Sequence, residues 1–150
     1  MNGDGLDEVA AGAPVEPAPM ATTTAGRVRL IWGTTTPLSS GTNVQVLDAD
    51  ASTLSTGNAA NFGASIARLG DKNNDGLSDF AIGAPCADDT ATPCGVGRAY
   101  LVHGAGTVSS TVGLFVQLGA TGDRFGTSLA SLFPAQRLRA AHAPSWRLAK

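Results

Sequence analysis

A thirteen-residue stretch occurs twice in this chain, and that repeat constrains the fold more than any other feature. Residues 2–14 read NGDGLDEVAAGAP and residues 73–85 read NNDGLSDFAIGAP, an offset of 71. The same offset aligns residues 26–33, GRVRLIWG, with residues 97–104, GRAYLVHG. A third echo runs at a different offset: the stretch NFGASIARL at 61–69 returns as RFGTSLASL at 124–132, an offset of 63. The change from 71 to 63 places the length difference in connecting loops, which tolerate insertion better than the elements they join. A repeat of this kind is one supersecondary unit that buries its apolar faces only by stacking on its neighbours.

Each repeat divides into short strands. Residues 64–69, 79–83 and 98–103 form three candidate strands, and 112–118 a weaker fourth; their counterparts in the earlier repeat are 8–11, 27–32 and 43–47. Segments of about five residues bounded by Gly, Pro and Asp predict an all-β array with one four-stranded sheet per repeat. Composition agrees. The chain has 19 Gly, few aromatics at 5% and only 15% charged residues, against roughly 25% in an average soluble domain. Scarce Lys and Glu disfavour a helical bundle. Tyr100-Leu101-Val102 is apolar on both pleat faces, as expected for a sheet covered on both sides.

Chemistry concentrates in residues 71–79, DKNNDGLSD. Oxygen-bearing side chains stand at loop positions 1, 3, 5 and 9, with Gly76 at position 6. A hard cation such as Ca²⁺ takes six to eight oxygens, and a glycine permits the turn that wraps the chain round it. The expected ligands are the side chains of Asp71, Asn73, Asp75 and Asp79 and the backbone carbonyl of Leu77. Three carboxylates so close repel one another without a cation. The competing reading is a solvated polar turn, since Asn, Asp and Gly are ordinary turn formers; two copies at equivalent positions weigh against it. The earlier copy is incomplete: Asn2, Asp4 and Glu8 match positions 3, 5 and 9, and Leu6 offers the carbonyl, so weak binding or none is expected there. An EF-hand opens similarly, but needs a bidentate Glu at position 12 and flanking helices. Position 12 is Ile82, inside a strand-like run.

Phe62-Gly63, the 71–79 loop and Gly83-Ala84-Pro85, in that order, resemble the FG-GAP repeat over residues 2–132. That family builds the seven-bladed β-propeller of integrin α subunits, and occurs in bacterial surface proteins and in glycosylphosphatidylinositol phospholipase D. The resemblance implies Ca²⁺ held by Asp71, Asn73, Asp75, Leu77 and Asp79 in the loop between a blade's first two strands. It also implies adhesion, or recognition of a protein or glycan ligand, through loops on the propeller face of an extracellular or cell-surface protein. Seven blades need roughly 400 residues. Residues 1–60 then form a partial blade, 61–120 a complete one and 121–132 the start of a third, so the rest of the propeller is expected in a longer parent chain.

The charge changes sign where the repeat stops. Residues 1–132 carry all 12 acids and six of the 10 bases, whereas 133–150 carry four bases and no acid. No metal loop follows Leu132, as the repeat would require. Residues 133–150 therefore read as foreign to the fold, through a frameshift or truncated gene, or as a basic amphipathic tail. The net charge of −2 gives no basic excess for nucleic acid, and no run of 18 apolar residues predicts membrane insertion. No secretory signal opens this chain. Cys86 and Cys94 bracket a short loop, and in an exported protein they could close a disulfide. Their spacing does not suit zinc. No G-x-S-x-G elbow or phosphate-binding loop occurs, so an enzyme is not expected. The alternatives are an accessory propeller of a secreted phospholipase or glycan hydrolase, or a degenerate gene product.

Overall fold

The computed structural model describes residues 2–17, 25–36, 43–49, 60–87, 94–105, 111–112 and 115–132. The expectations for 133–150, and the middle of the cysteine loop at 88–93, lie outside the described residues. The described residues are all-β. The strands are β1 (Val9–Ala13), β2 (Arg27–Ile31), β3 (Val44–Ala49), β4 (Ser65–Gly70), β5 (Asp79–Ala84), β6 (Arg98–Val102), β7 (Thr111–Val112) and β8 (Phe115–Val116). No helix among them is long and apolar enough to cross a membrane.

Two three-stranded antiparallel sheets result, β1-β2-β3 and β4-β5-β6. The repeat governs their registers. Val9 opposes Ile31 in the first sheet, and their repeat equivalents Phe80 and Val102 oppose each other in the second. Likewise Ala13 opposes Arg27, and Ala84 opposes Arg98. Thus β1-β2 and β5-β6 are one hairpin written twice. The expected fourth strand at 112–118 is found in part. Phe115–Val116 pairs with β6, whereas Thr111–Val112 runs parallel to the end of β3 in the other sheet. A strand reading from one repeat sees only its own sheet and misses this cross-over pairing.

The two sheets stack face to back. On β2 the buried residues are Val28 and Leu30; on β6 they are Arg98, Tyr100 and Val102. At an offset of 71, Val28 and Leu30 correspond to Ala99 and Leu101, so the buried parity is opposite in the two repeats. Side chains alternate between sheet faces along a strand. Opposite parity therefore means that the front of one unit meets the back of the next. Val28, Leu30, Leu47 and Ala49 from the first sheet join Phe80, Ile82, Ala84, Tyr100 and Val102 from the second in one core.

Phe-Gly pairs make the joints between units. The Phe62 amide donates to the Ala25 carbonyl at 3.0 Å, and its fully buried ring meets Tyr100 edge-on with centroids 5.2 Å apart. One repeat later, the Phe125 amide donates to the Val96 carbonyl at 2.8 Å. Asn61-Phe62-Gly63 has φ of 55° at Asn61 and 91° at Gly63; Arg124-Phe125-Gly126 has 54° and 89°. Only glycine adopts the larger values at no steric cost. The chain turned there lies against a second glycine: a Cβ on Gly12 would meet the Gly63 carbonyl oxygen at 2.0 Å, and one on Gly83 the Gly126 carbonyl oxygen at 2.0 Å. The Gly of each Gly-Ala-Pro is thus the seat for the Phe-Gly of the following unit.

Candidate metal centre

The 71–79 loop connects β4 to β5, so strands flank it rather than the helices of an EF-hand. Its conformation is fixed by its own side chains. Asp71 accepts the Asp75 amide on Oδ1 at 3.1 Å and the Gly76 amide on Oδ2 at 2.9 Å. Asn73 Oδ1 accepts the same Asp75 amide at 3.2 Å, while its Nδ2 donates to Asp75 Oδ2 at 2.7 Å. Asp75 Oδ1 accepts the Leu77 amide at 2.7 Å. Side chains of Asn and Asp that take amides two residues on form tight turns, and Asn also tolerates the left-handed region found at Asn74, with φ of 61°. Gly76, at φ 87°, completes the reversal.

The earlier loop has the same bonds at an offset of 71. Asn2 Oδ1 accepts the Asp4 amide at 3.2 Å, Asn2 Nδ2 donates to Asp4 Oδ2 at 2.8 Å, and Asp4 Oδ1 accepts the Leu6 amide at 2.8 Å. The Leu6 amide, then the Asn2 side chain, hold the Asp4 carboxyl below its ordinary value. Gly3 and Gly5, at φ 78° and 83°, stand where Asn74 and Gly76 stand. Glu8 is half-buried, and its longer side chain accepts the Asn2 amide at 3.3 Å.

Asp79 is different in kind. It is 1% exposed at the start of β5, and its Oδ2 accepts the Lys72 amide at 2.7 Å. Its Oδ1 accepts the Gly104 amide at 2.9 Å, with His103 Nδ1 at 3.5 Å. Burial opposes ionisation of this carboxyl. The Gly104 and Lys72 amides and the His103 side chain outweigh it, and the net shift is downward. Asp79 therefore ties the mouth of the loop to the end of β6. Sequence reasoning assigned Asp79 a ligand role and missed this brace; the recurrence of Gly33 as Gly104 was the signal for a fixed position after that strand.

The donors suit a hard cation by type, being carboxylate and amide oxygens, and the Asp71 and Asn73 oxygens converge on one amide. A carboxylate has about four lone-pair sites, so two amide bonds leave Asp79 capacity to coordinate. Among the described residues, no three or more His, Cys, Asp or Glu side chains gather closely enough to hold a metal, because Asp71, Asp75 and Asp79 turn their oxygens to separate loop amides. The two loops are neighbours in space: Leu77 Cδ2 lies 2.9 Å from where a Cβ of Gly3 would stand. Between the earlier loop and the second sheet lies a cleft of about 560 Å³, lined among others by Glu8, Ala10, Ile66, Arg68 and Phe80.

Cys86 and Cys94 are joined as a disulfide. Asn61 Nδ2 donates to Cys86 Sγ at 3.2 Å, and the Cys86 amide donates to the Ala60 carbonyl at 3.1 Å, so the bridge sits under the Phe62 joint. No protein-family model matches the chain.

Proposed function

We propose that the chain is a calcium-binding β-propeller repeat module of the FG-GAP kind, part of an extracellular or cell-surface protein that recognises a protein or glycan partner through its loops. The observation that carries this reading is the pair of oxygen-rich loops, one in each repeat, whose Asn and Asp side chains make the same amide bonds. Carboxylate and amide oxygens recurring at alternate positions of both loops are the donor type that a cation such as Ca²⁺ takes. In the proposed role the ion is structural. It draws Asp71, Asn73, Asp75, the Leu77 carbonyl and Asp79 together and so clamps β4 to β5. The incomplete set Asn2, Asp4, Leu6 and Glu8 binds more weakly.

Affinities of extracellular calcium modules lie on the order of 10⁻⁴–10⁻³ M. At ~10 mM Ca²⁺ such a site stabilises the fold by roughly 1–3 kcal/mol. The test is thermal unfolding in Ca²⁺ and in chelator, with calorimetric titration of the metal. Ca²⁺ is expected to raise the midpoint by several degrees, and Asp75→Ala to abolish the rise. An equal midpoint in Ca²⁺ and chelator refutes the structural-ion reading.

A further inference from the structure

Residues 85–97 connect β5 to β6, as residues 14–26 connect β1 to β2. The same backbone bonds close both connections. In the second unit the Ala87 amide donates to the Ala84 carbonyl at 3.1 Å and the Gly97 amide to the Ala87 carbonyl at 3.1 Å. In the first unit the Glu16 amide donates to the Ala13 carbonyl at 3.1 Å and the Gly26 amide to the Glu16 carbonyl at 3.0 Å. The cysteines are an addition to this plan. Val15 stands at the position of Cys86 and Thr23 at that of Cys94, and the first hairpin keeps the same register without a bridge. Cleavage of the disulfide therefore leaves the bonds that close the hairpin in place.

The two sulfurs are not equivalent. Cys86 is 4% exposed, whereas Cys94 is half-buried. Asn61 Nδ2 donates to Cys86 Sγ at 3.2 Å. Thiol–disulfide exchange depends on which sulfur a thiolate can reach and on how readily the other sulfur leaves as a thiolate. A hydrogen bond to an ionised acceptor is stronger than one to a neutral acceptor, so the Asn61 bond strengthens as charge develops on Cys86. Access favours attack at Cys94 and the Asn61 donor favours departure of Cys86; both select the same direction.

We propose that Cys86–Cys94 is an exchange site for a small-molecule thiolate, with Cys94 the sulfur attacked and Cys86 the leaving sulfur. The incoming sulfur bonds to Cys94 Sγ, the Sγ–Sγ bond breaks, and its electron pair leaves on Cys86 Sγ beside Asn61 Nδ2. A second thiolate then attacks the added sulfur. It departs as the disulfide of the two small thiols and leaves Cys94 as a thiolate, so the protein gains two electrons and the thiols lose them. Asn61 acts here as a positioning residue. The Cys86 amide also donates to the Ala60 carbonyl at 3.1 Å, so the exchange takes place beside the Phe62 joint between units, and neither step involves the 71–79 loop.

The probe is glutathione. The folded chain is incubated with it, quenched with iodoacetamide, unfolded and cut before Asp88 and Asp89, which separates the two cysteines for mass mapping. Glutathione is expected on Cys94 and the alkyl group on Cys86. Glutathione on Cys86, or equally on both, overturns the proposed direction, and a folded chain that takes up none overturns the site. Asn61→Asp keeps the shape and tolerates the left-handed φ of 55°, but its carboxylate cannot donate. It should slow the exchange by about tenfold. An unchanged or faster rate overturns the role of Asn61, while the mapping on the unaltered chain stands without any variant.

Discussion

Gly12→Ala tests the joint between units most directly. Gly12 lies in β1 without positive φ, so alanine costs nothing in backbone conformation and the effect is steric. The new Cβ would stand 2.0 Å from the Gly63 carbonyl oxygen and 2.9 Å from its carbon. Ordinary contact begins near 3.4 Å, so the joint must open by roughly 1.4 Å. Both sides are backbone and cannot rotate away. Opening also draws Phe62 from Ala25 of the first unit, whose carbonyl its amide meets at 3.0 Å, and a gap of ~0.5–1 Å already forfeits a quarter to a half of a dispersion contact. Overpacking costs about 1–3 kcal/mol. The upper part of that range, about 2–3 kcal/mol, applies here, equivalent to about 4–12 °C in midpoint for a chain of this length. Urea unfolding is the assay: the midpoint should fall with an unchanged slope. Phe62→Ala acts on the same joint, so the double variant should lose less than the sum of the two. A Gly12→Ala chain within about 0.5 kcal/mol of the original refutes the close approach.

Phe62→Ala by itself removes a fully buried ring from between the sheets and should cost about 3–5 kcal/mol, read by the same urea titration. Glu16 forms an ion pair with Arg29, whose hydrogen bonds, followed by the charges of Arg29 and Arg27, hold its carboxyl below its usual value despite an opposing desolvation. A carboxyl lowered in the folded state contributes stability above its unfolded value, about 4.5, and loses it as the pH falls through the folded value. Stability against pH should therefore drop on the acid side, and Glu16→Gln should make that drop shallower while leaving the slope at neutral pH unchanged. An identical acid limb in the variant sinks the assignment.

Hairpins and loops were legible because their causes are local. Asp75-Gly76 and Asn73 name a turn by side-chain chemistry, and the structure makes those bonds. The short apolar and β-branched runs between Gly and Pro became β2, β5 and β6 with only small shifts at their ends. The brace from Asp79 to Gly104 was not legible, because it joins residues 25 apart that meet only after β5 and β6 pair. The pairing of β7 with β3 was missed for the same reason, since Asp48 and Thr111 lie far apart along the chain and in different repeats.

By itself the sequence determined that one unit is written twice, where its strands and turns fall, and that oxygen donors gather at the loop between them. Backbone propensity and side-chain-to-amide bonding act over a few residues, and a repeat exposes them twice. Tertiary structure decided the parity. Val28 and Leu30 face the core in one unit, while Arg98, Tyr100 and Val102 do so in the next. In β2 the alternation of Arg27 and Arg29 with Val28 and Leu30 already marks the buried face, but no local rule sets the choice in β6, which has Ala99 and Leu101 on one face and Tyr100 and Val102 on the other. Only the neighbour settles it, and the neighbour is seated where Gly12 and Gly83 leave room for Gly63 and Gly126.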